Sequence, residues 1–117
     1  MNGWIGVDLD GTLAEYNGWV GPTHIGAPIP RMQQRIKQWL ADGREVRIFT
    51  ARVYAGGRVD NKEVEQVQLA IKRWCAEHIG HVLPITCTKD YGMVELWDDR
   101  AVQVIPNTGR RADGLEL

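Results

Sequence analysis

Two apolar runs in this chain each end in a pair of acidic residues. Residues 4–7 lead into residues 8–10, Asp-Leu-Asp, and residues 94–97 lead into Asp98 and Asp99. Apolar runs of this length are typical of central parallel strands, whose carboxyl ends meet at one edge of an open α/β sheet. Carboxylates brought to one edge repel each other unless a cation lies between them. The pairs therefore predict a parallel sheet with a divalent cation site at its edge.

Composition limits the class of protein further. The chain has 117 residues, of which 44% are hydrophobic, and this suits one domain with its own core. Its formal net charge of −1 excludes a broad basic surface for bulk nucleic-acid binding. The first residues lack a charged leader with a long apolar stretch, and no segment is apolar over a bilayer's width. We expect a cytoplasmic protein without a membrane partner, in which Cys75 and Cys87 are reduced thiols.

Periodicity predicts five strands and two helices. The strands are expected at residues 4–10, 46–50, 82–87, 95–97 and 102–105. A helix is predicted to begin near Pro30 and end at Gly43, and a second to begin at Asp60 and end at Gly80. The Asn17-Gly18 dipeptide predicts the turn of a β-hairpin.

These elements predict a single-domain α/β fold. We expect a Rossmann-like three-layer sandwich with a mainly parallel five-stranded sheet and no cap domain. The core domain is predicted at residues 1–109, with the hairpin forming a small flap at about 11–29, and residues 110–117 are expected to be a loose tail. Only residues 88–94 separate the third and fourth strands, which is too few for a full crossover helix.

The residues at the strand ends match the needs of phosphate-monoester hydrolysis, which are a nucleophile, a proton donor and positive charge on the transferring group. Asp8 can attack as a carboxylate, and Asp10, on the same strand face, can act as general acid and base. Thr50 supplies a hydroxyl, Lys89 can neutralise the phosphoryl group, and Asp98 can complete the oxygen shell of a cation.

In this order the motifs resemble those of the haloacid dehalogenase-like superfamily of phosphohydrolases. Residues 8–13 (Asp-Leu-Asp-Gly-Thr-Leu) resemble its nucleophile motif, residues 48–52 its threonine motif, Lys89 its lysine motif and residues 97–100 its acidic motif. The resemblance covers roughly residues 4–105, and the whole set in order is far more specific than any one motif.

The resemblance implies roles for individual residues. Asp8 would form an aspartyl phosphate, and Asp10 would be the general acid and base, a residue that the family's phosphatases keep and its dehalogenases lack. The resemblance implies that Mg²⁺ is bound by the Asp8 carboxylate, the Asp10 carbonyl and Asp98, with Asp99 in contact with these ligands rather than with the ion. It implies that phosphate is bound by Thr50, Lys89 and the backbone amides near Leu9 and Ala51.

The sequence also bears on the class of substrate. A member without a cap accepts large substrates, is covered by a partner subunit, or takes small substrates with modest selectivity. Tyr16 and Trp19 on the flap, with Arg52, Tyr54 and Arg58 on the loop after the second strand, could stack a base and hold a second phosphate. We therefore expect a phosphorylated small molecule, such as a nucleotide.

Several alternatives stay open on the sequence alone. Within the same chemistry, the substrate could be a polynucleotide end or a phosphoprotein. A phosphoacceptor domain similar to response-regulator receivers is a rival, although these phosphorylate an aspartate after a middle strand, where this chain has Thr50. A binding module without activity is the third class, and the oligomeric state is undetermined.

Overall fold

A computed structural model describes residues 3–56 and 60–115 of the chain. Arg58, one of the candidate substrate contacts, lies outside these residues, as do the ends of the chain at 1–2 and 116–117. The elements are, in order, strand β1 (Trp4–Asp8), helix α1 (Pro30–Ala41), strand β2 (Glu45–Phe49), a short 3-10 helix (Ala51–Val53), helix α2 (Asn61–His78), strand β3 (Ile85–Thr86) and strand β4 (Met93–Trp97).

The four strands form one parallel sheet in the order β3-β2-β1-β4. The predicted α/β class with a parallel sheet is therefore confirmed. β1 is central, with Asp8 opposite Phe49 of β2 and Val7 opposite Trp97 of β4. Because these strands end nearly level, the residues that follow them all reach the same edge of the sheet.

Both predicted helices are confirmed, and local chemistry explains their ends. Pro30 occupies the first position of α1, where its fixed φ and missing N–H carry no penalty. Gly43 follows α1 with a φ of +80°, a conformation that favours glycine. At the start of α2 the Asp60 carboxylate accepts a hydrogen bond of 2.9 Å from the backbone N–H of Glu63.

The helices lie together on one face of the sheet. Both crossovers, β1 to β2 and β2 to β3, step in the same direction across the sheet, so right-handed connections place both helices on the same side. The Gln33 side chain of α1 donates to the His78 carbonyl of α2 at 2.6 Å. A single hydrophobic core joins these helices to the buried strand residues of that face, so the described residues form one domain.

The predicted third layer is not found among the residues that the structure describes. The link between β3 and β4, residues 87–92, contains no helix, which agrees with its short length. This link crosses the second face of the sheet and covers Trp4 there. The Trp4 indole N–H donates to the Asp90 carboxylate at 2.8 Å, and the Arg47 guanidinium stacks on its ring at 4.5 Å. Trp4 is consequently only 2% exposed.

Two predicted strands differ from the structure. The third shrinks to Ile85–Thr86, because only these residues pair with β2. The fifth, at residues 102–105, does not join the described sheet. Instead Val104 pairs antiparallel with Arg111, so the segment expected to be a loose tail folds back onto it.

The flap also differs from its prediction. Its ends pair antiparallel, with the Glu15 N–H bonded to the Ala27 carbonyl at 2.8 Å and the Ile29 N–H to the Leu13 carbonyl at 2.7 Å. The pairing therefore closes a wide loop, and Asn17-Gly18 is a bend inside it rather than the turn of a tight hairpin. The predicted flap, residues 11–29, includes these paired residues.

Among the described residues, no helix is both long and apolar enough to span a membrane.

Trp4 offers a test of how the second face is covered. We expect Trp4→Phe to lower the free energy of unfolding by about 2 kcal/mol, because it removes a partly buried hydrogen bond and part of the packed ring. Urea denaturation measures this. The matched control is Trp97→Phe, whose indole also donates to a carboxylate, Glu95, and stacks with an arginine, but is half-buried. It should cost less than about 1 kcal/mol, and an equal cost for the two variants would contradict the proposed cover.

Candidate active site

A cavity of about 500 Å³ opens at the carboxyl ends of β1, β2 and β4. Its walls combine acidic, aromatic and cationic side chains with the turn after β2. The lining residues are Asp8, Asp10, Tyr16, Trp19, Phe49, Thr50, Ala51, Arg52, Tyr54, Asp98, Asp99 and Arg100. Most of the residues predicted from the sequence are therefore brought to one place.

Three carboxylates form the floor of the cavity. Oxygen atoms of Asp8, Asp98 and Asp99 all lie within 4.8 Å of one another. The register of β1 with β4 explains the cluster, since Asp8 ends β1 and the other two follow β4 directly. Such a set of oxygen ligands suits Mg²⁺, which is bound in proteins by a few carboxylates and by water.

The cluster changes the acidity of Asp8. Burial of this carboxyl raises its pKa from 3.8 to about 7, and a hydrogen bond with Asp99 and the negative charges of Asp98, Asp99 and Asp10 act in the same direction. At neutral pH and without a cation, Asp8 is therefore only partly ionised. A divalent cation at the cluster would favour its ionised form.

Thr12 and Gly11 hold the turn after β1 against the turn after β4. The Thr12 hydroxyl accepts a hydrogen bond of 3.0 Å from the backbone N–H of Asp99, and it lies 3.4 Å from the Asp8 carboxylate. Gly11 has a φ of +86°, and a Cβ built there would lie 2.5 Å from an Asp99 oxygen. Only glycine fits this position without displacing the cluster.

Thr50 and Ala51 form the wall beside β2. The Thr50 hydroxyl accepts a hydrogen bond of 3.2 Å from the backbone N–H of Arg52 and so caps the 3-10 helix. Its hydroxyl proton stays available for an oxygen atom of a ligand. Thr50 is 3% exposed and lines the cavity, so a ligand bound there would lie next to this residue.

Asp10 is held by Arg52 in a bidentate ion pair. Arg52 Nε donates to Asp10 Oδ2 and Arg52 Nη2 to Asp10 Oδ1, each at 2.8 Å. Next to Asp10, the Ala14 N–H donates to the Leu9 carbonyl and the Gly11 N–H donates to the Ala14 carbonyl. These two hydrogen bonds use no backbone group of Asp10. The Asp10 carbonyl can therefore serve as a cation ligand, as the family resemblance implies.

Two residues of the predicted site, Lys89 and Leu9, are not among the described residues that line the cavity. Lys89 is exposed and belongs to the link across the second face, next to Asp90, which is bonded to Trp4. The Leu9 side chain is fully buried in the core, so only its backbone can serve a ligand. The roles of Lys89 and of the Leu9 amide stay predictions.

The sequence reasoning missed three residues of the site. Phe49 and Arg100 line the cavity, and the Thr12 hydroxyl joins its two acidic turns. Arg100 directly follows the second acidic pair, so its place in the motif was the available signal. Phe49 and Thr12 also lie inside compared motifs, residues 48–52 and 8–13, but a phenylalanine there is equally what a buried strand requires.

Comparisons of the chain with protein-family models, with curated proteins and with solved structures gave no match.

Gly11 provides a test of the geometry of the cluster. We expect Gly11→Ala to lower the free energy of unfolding by about 2–3 kcal/mol, because the new methyl group adds a clash with Asp99 to the strain of a positive φ. It should also reduce the thermal stabilisation that Mg²⁺ gives.

The control is Gly43→Ala, since Gly43 has a φ of +80° and no atom near its Cβ position. It should cost only about 1 kcal/mol and leave the effect of Mg²⁺ unchanged. Identical results for the two variants would show that Asp99 is not packed against Gly11.

The raised pKa of Asp8 predicts how stability depends on pH. In the metal-free protein, the stabilisation from protonated Asp8 is complete below the unfolded pKa of 3.8 and is lost as pH rises through about 7. Asp8→Asn keeps a neutral group throughout. With a chelator present, it should exceed the parent in unfolding free energy by about 1–2 kcal/mol at about pH 8, after allowance for solvent screening, and match it near pH 4.

Thermal unfolding across this pH range measures the difference. Added Mg²⁺ at the higher pH should stabilise the parent and have little effect on Asp8→Asn. A constant difference between the two proteins at every pH would contradict the raised pKa.

Proposed function

We propose that this chain is a Mg²⁺-dependent phosphohydrolase similar to the haloacid dehalogenase-like superfamily, acting on phosphate monoesters through an aspartyl phosphate. The observation that carries the proposal is the meeting of Asp8, Asp98 and Asp99 within 4.8 Å at the edge of a parallel sheet. Asp10 and Thr50 line the same cavity. No single residue would support the proposal, but the set contains a nucleophile, an acid–base group and a cation site.

In the first step, a carboxylate oxygen of Asp8 attacks phosphorus, and the bond from phosphorus to the ester oxygen breaks. Each Asp10 oxygen accepts one bond from Arg52 and keeps a second lone pair, where the carboxyl can be protonated. From there Asp10 gives its proton to the leaving oxygen, so the alcohol departs neutral. The Thr50 hydroxyl can donate to a phosphoryl oxygen from the wall beside β2, and Arg100 adds positive charge at the rim.

In the second step, Asp10 takes a proton from water, and the resulting hydroxide attacks the phosphorus of the aspartyl phosphate. The bond from phosphorus to the Asp8 oxygen breaks, which releases inorganic phosphate and restores the carboxylate. Bound Mg²⁺ would supply the positive charge that holds Asp8 ionised and offsets the charge on the phosphoryl oxygens.

The aromatic walls favour a nucleotide-like small molecule as substrate. Tyr16, Trp19, Phe49 and Tyr54 all line the cavity, and Tyr54 is 57% exposed, which suits a side chain that stacks on a planar group. A cavity of about 500 Å³ has room for a nucleoside monophosphate. The described residues include no cap domain, so a polynucleotide end or a phosphoprotein is the alternative substrate.

The test is hydrolysis by the purified protein with Mg²⁺. We expect release of phosphate from p-nitrophenyl phosphate and from nucleoside monophosphates, and loss of turnover by at least about 10³-fold in Asp8→Asn or with a chelator. Sugar phosphates and 5′-phosphorylated oligonucleotides complete the panel. Selective turnover of the mononucleotides supports the small-molecule proposal, whereas preference for oligonucleotide ends supports a macromolecular substrate.

The control variant is Asp113→Asn, an aspartate in the carboxyl-terminal hairpin that pairs with Arg111. It should retain full activity. Unchanged hydrolysis by Asp8→Asn would exclude Asp8 as nucleophile, and a long-lived adduct with acetyl phosphate on an aspartate other than Asp8 would favour the phosphoacceptor class.

A further inference from the structure

Arg52 is the most fully engaged charged side chain of the site. Besides its two bonds to Asp10, its Nη1 donates to the Pro22 carbonyl at 2.9 Å and to the Gly21 carbonyl at 3.3 Å. Its guanidinium also stacks on the Trp19 ring at 5.0 Å. One side chain thus joins the turn after β2, the Asp10 carboxylate and three residues of the flap.

Burial of the Arg52 side chain explains why it has so many partners. Arg52 is 7% exposed, one of two buried polar or charged residues among those described, so its charge needs partners inside the protein. The bidentate pair fixes the plane of the Asp10 carboxylate, because both oxygens are held by a rigid fork. A lysine could keep the charge but not this geometry.

We propose that Arg52 is a positioning residue, which orients the Asp10 carboxylate for proton transfer and ties that orientation to the position of the flap. The inference rests on the proposed function for its catalytic part and on the contacts of Arg52 for its structural part. It differs from the sequence prediction that Arg52 contacts the substrate, because the guanidinium is directed to Asp10 and to flap carbonyls.

The geometry explains why the flap matters to the chemistry. Trp19, Gly21 and Pro22 can move away from the cavity only by breaking contacts with Arg52, and Arg52 can follow them only by releasing Asp10. A substrate that displaces the flap would therefore also turn the proton-transferring group, whereas one that fits beneath it leaves Asp10 aligned.

Two esters that differ in their leaving group can show whether Arg52 positions Asp10 or binds the substrate. p-Nitrophenolate leaves without a proton because the phenol has a pKa of about 7, whereas the alcohol of p-nitrobenzyl phosphate needs one. The quantity to compare is kcat/KM, which covers only the steps up to departure of the alcohol and leaves out hydrolysis of the aspartyl phosphate. We expect Arg52→Lys to lower kcat/KM for p-nitrobenzyl phosphate by about 10–100-fold, and for p-nitrophenyl phosphate by less than about 3-fold. Asp10→Asn should show the same contrast, and the double variant should be no worse than Asp10→Asn.

Arg47→Lys is the matched control, because Arg47 also stacks on a tryptophan and faces a carboxylate, but on the second face of the sheet. It should leave both substrates unaffected. Equal losses of kcat/KM for the two substrates in Arg52→Lys would overturn the positioning role.

A second measurement does not depend on turnover. Backbone amide hydrogen exchange of flap residues 13–28 should be faster in Arg52→Lys and in Asp10→Asn, and the double variant should add little to either. Exchange unchanged in both single variants would overturn the link between Asp10 and the flap. A parent that hydrolyses neither ester would refute the proposed function, while the exchange result would still decide whether Arg52 joins Asp10 to the flap.

Discussion

The repulsion among Asp8, Asp98 and Asp99 is the constraint on which the rest of the structure depends. Three carboxylates within 4.8 Å oppose folding, so the hydrophobic core beneath the sheet must hold them together. That core is continuous from both helices to β1 and β2. The unfavourable interaction appears most clearly in Asp8, whose pKa rises to about 7. The cation that we propose for this site would offset the repulsion among these carboxylates.

The parts of the fold that the sequence predicts correctly are those decided by neighbouring residues. Apolar periodicity locates β1, β2 and both helices, and the cap formed by Asp60 depends on only three further positions. The convergence of Asp8 and Asp98 follows from one rule, that parallel strands end at a common edge. This is why the acidic part of the site is predictable without knowledge of the sheet order.

The parts that the sequence does not predict depend on partners far along the chain. Residues 102–105 have the composition of a strand, yet Val104 pairs with Arg111 instead of joining the sheet. Asn17-Gly18 favours a tight turn, but pairing at residues 13–15 and 27–29 leaves it inside a wide loop. The engagement of Arg52 with Asp10 has no local signature, since 42 positions separate them. The described residues form no third layer, because the link before β4 is too short for a helix.

The hydrogen bond between Thr12 and the backbone of Asp99 joins positions 87 residues apart. Closing so long a loop is slow compared with forming either helix, and β4 can dock only after β1 is in place. The acidic cluster is therefore incomplete in any partly folded chain that lacks a docked β4. Tight cation binding would thus be restricted to molecules in which all four strands have paired. The ion would then stabilise the folded state only after the last step of folding.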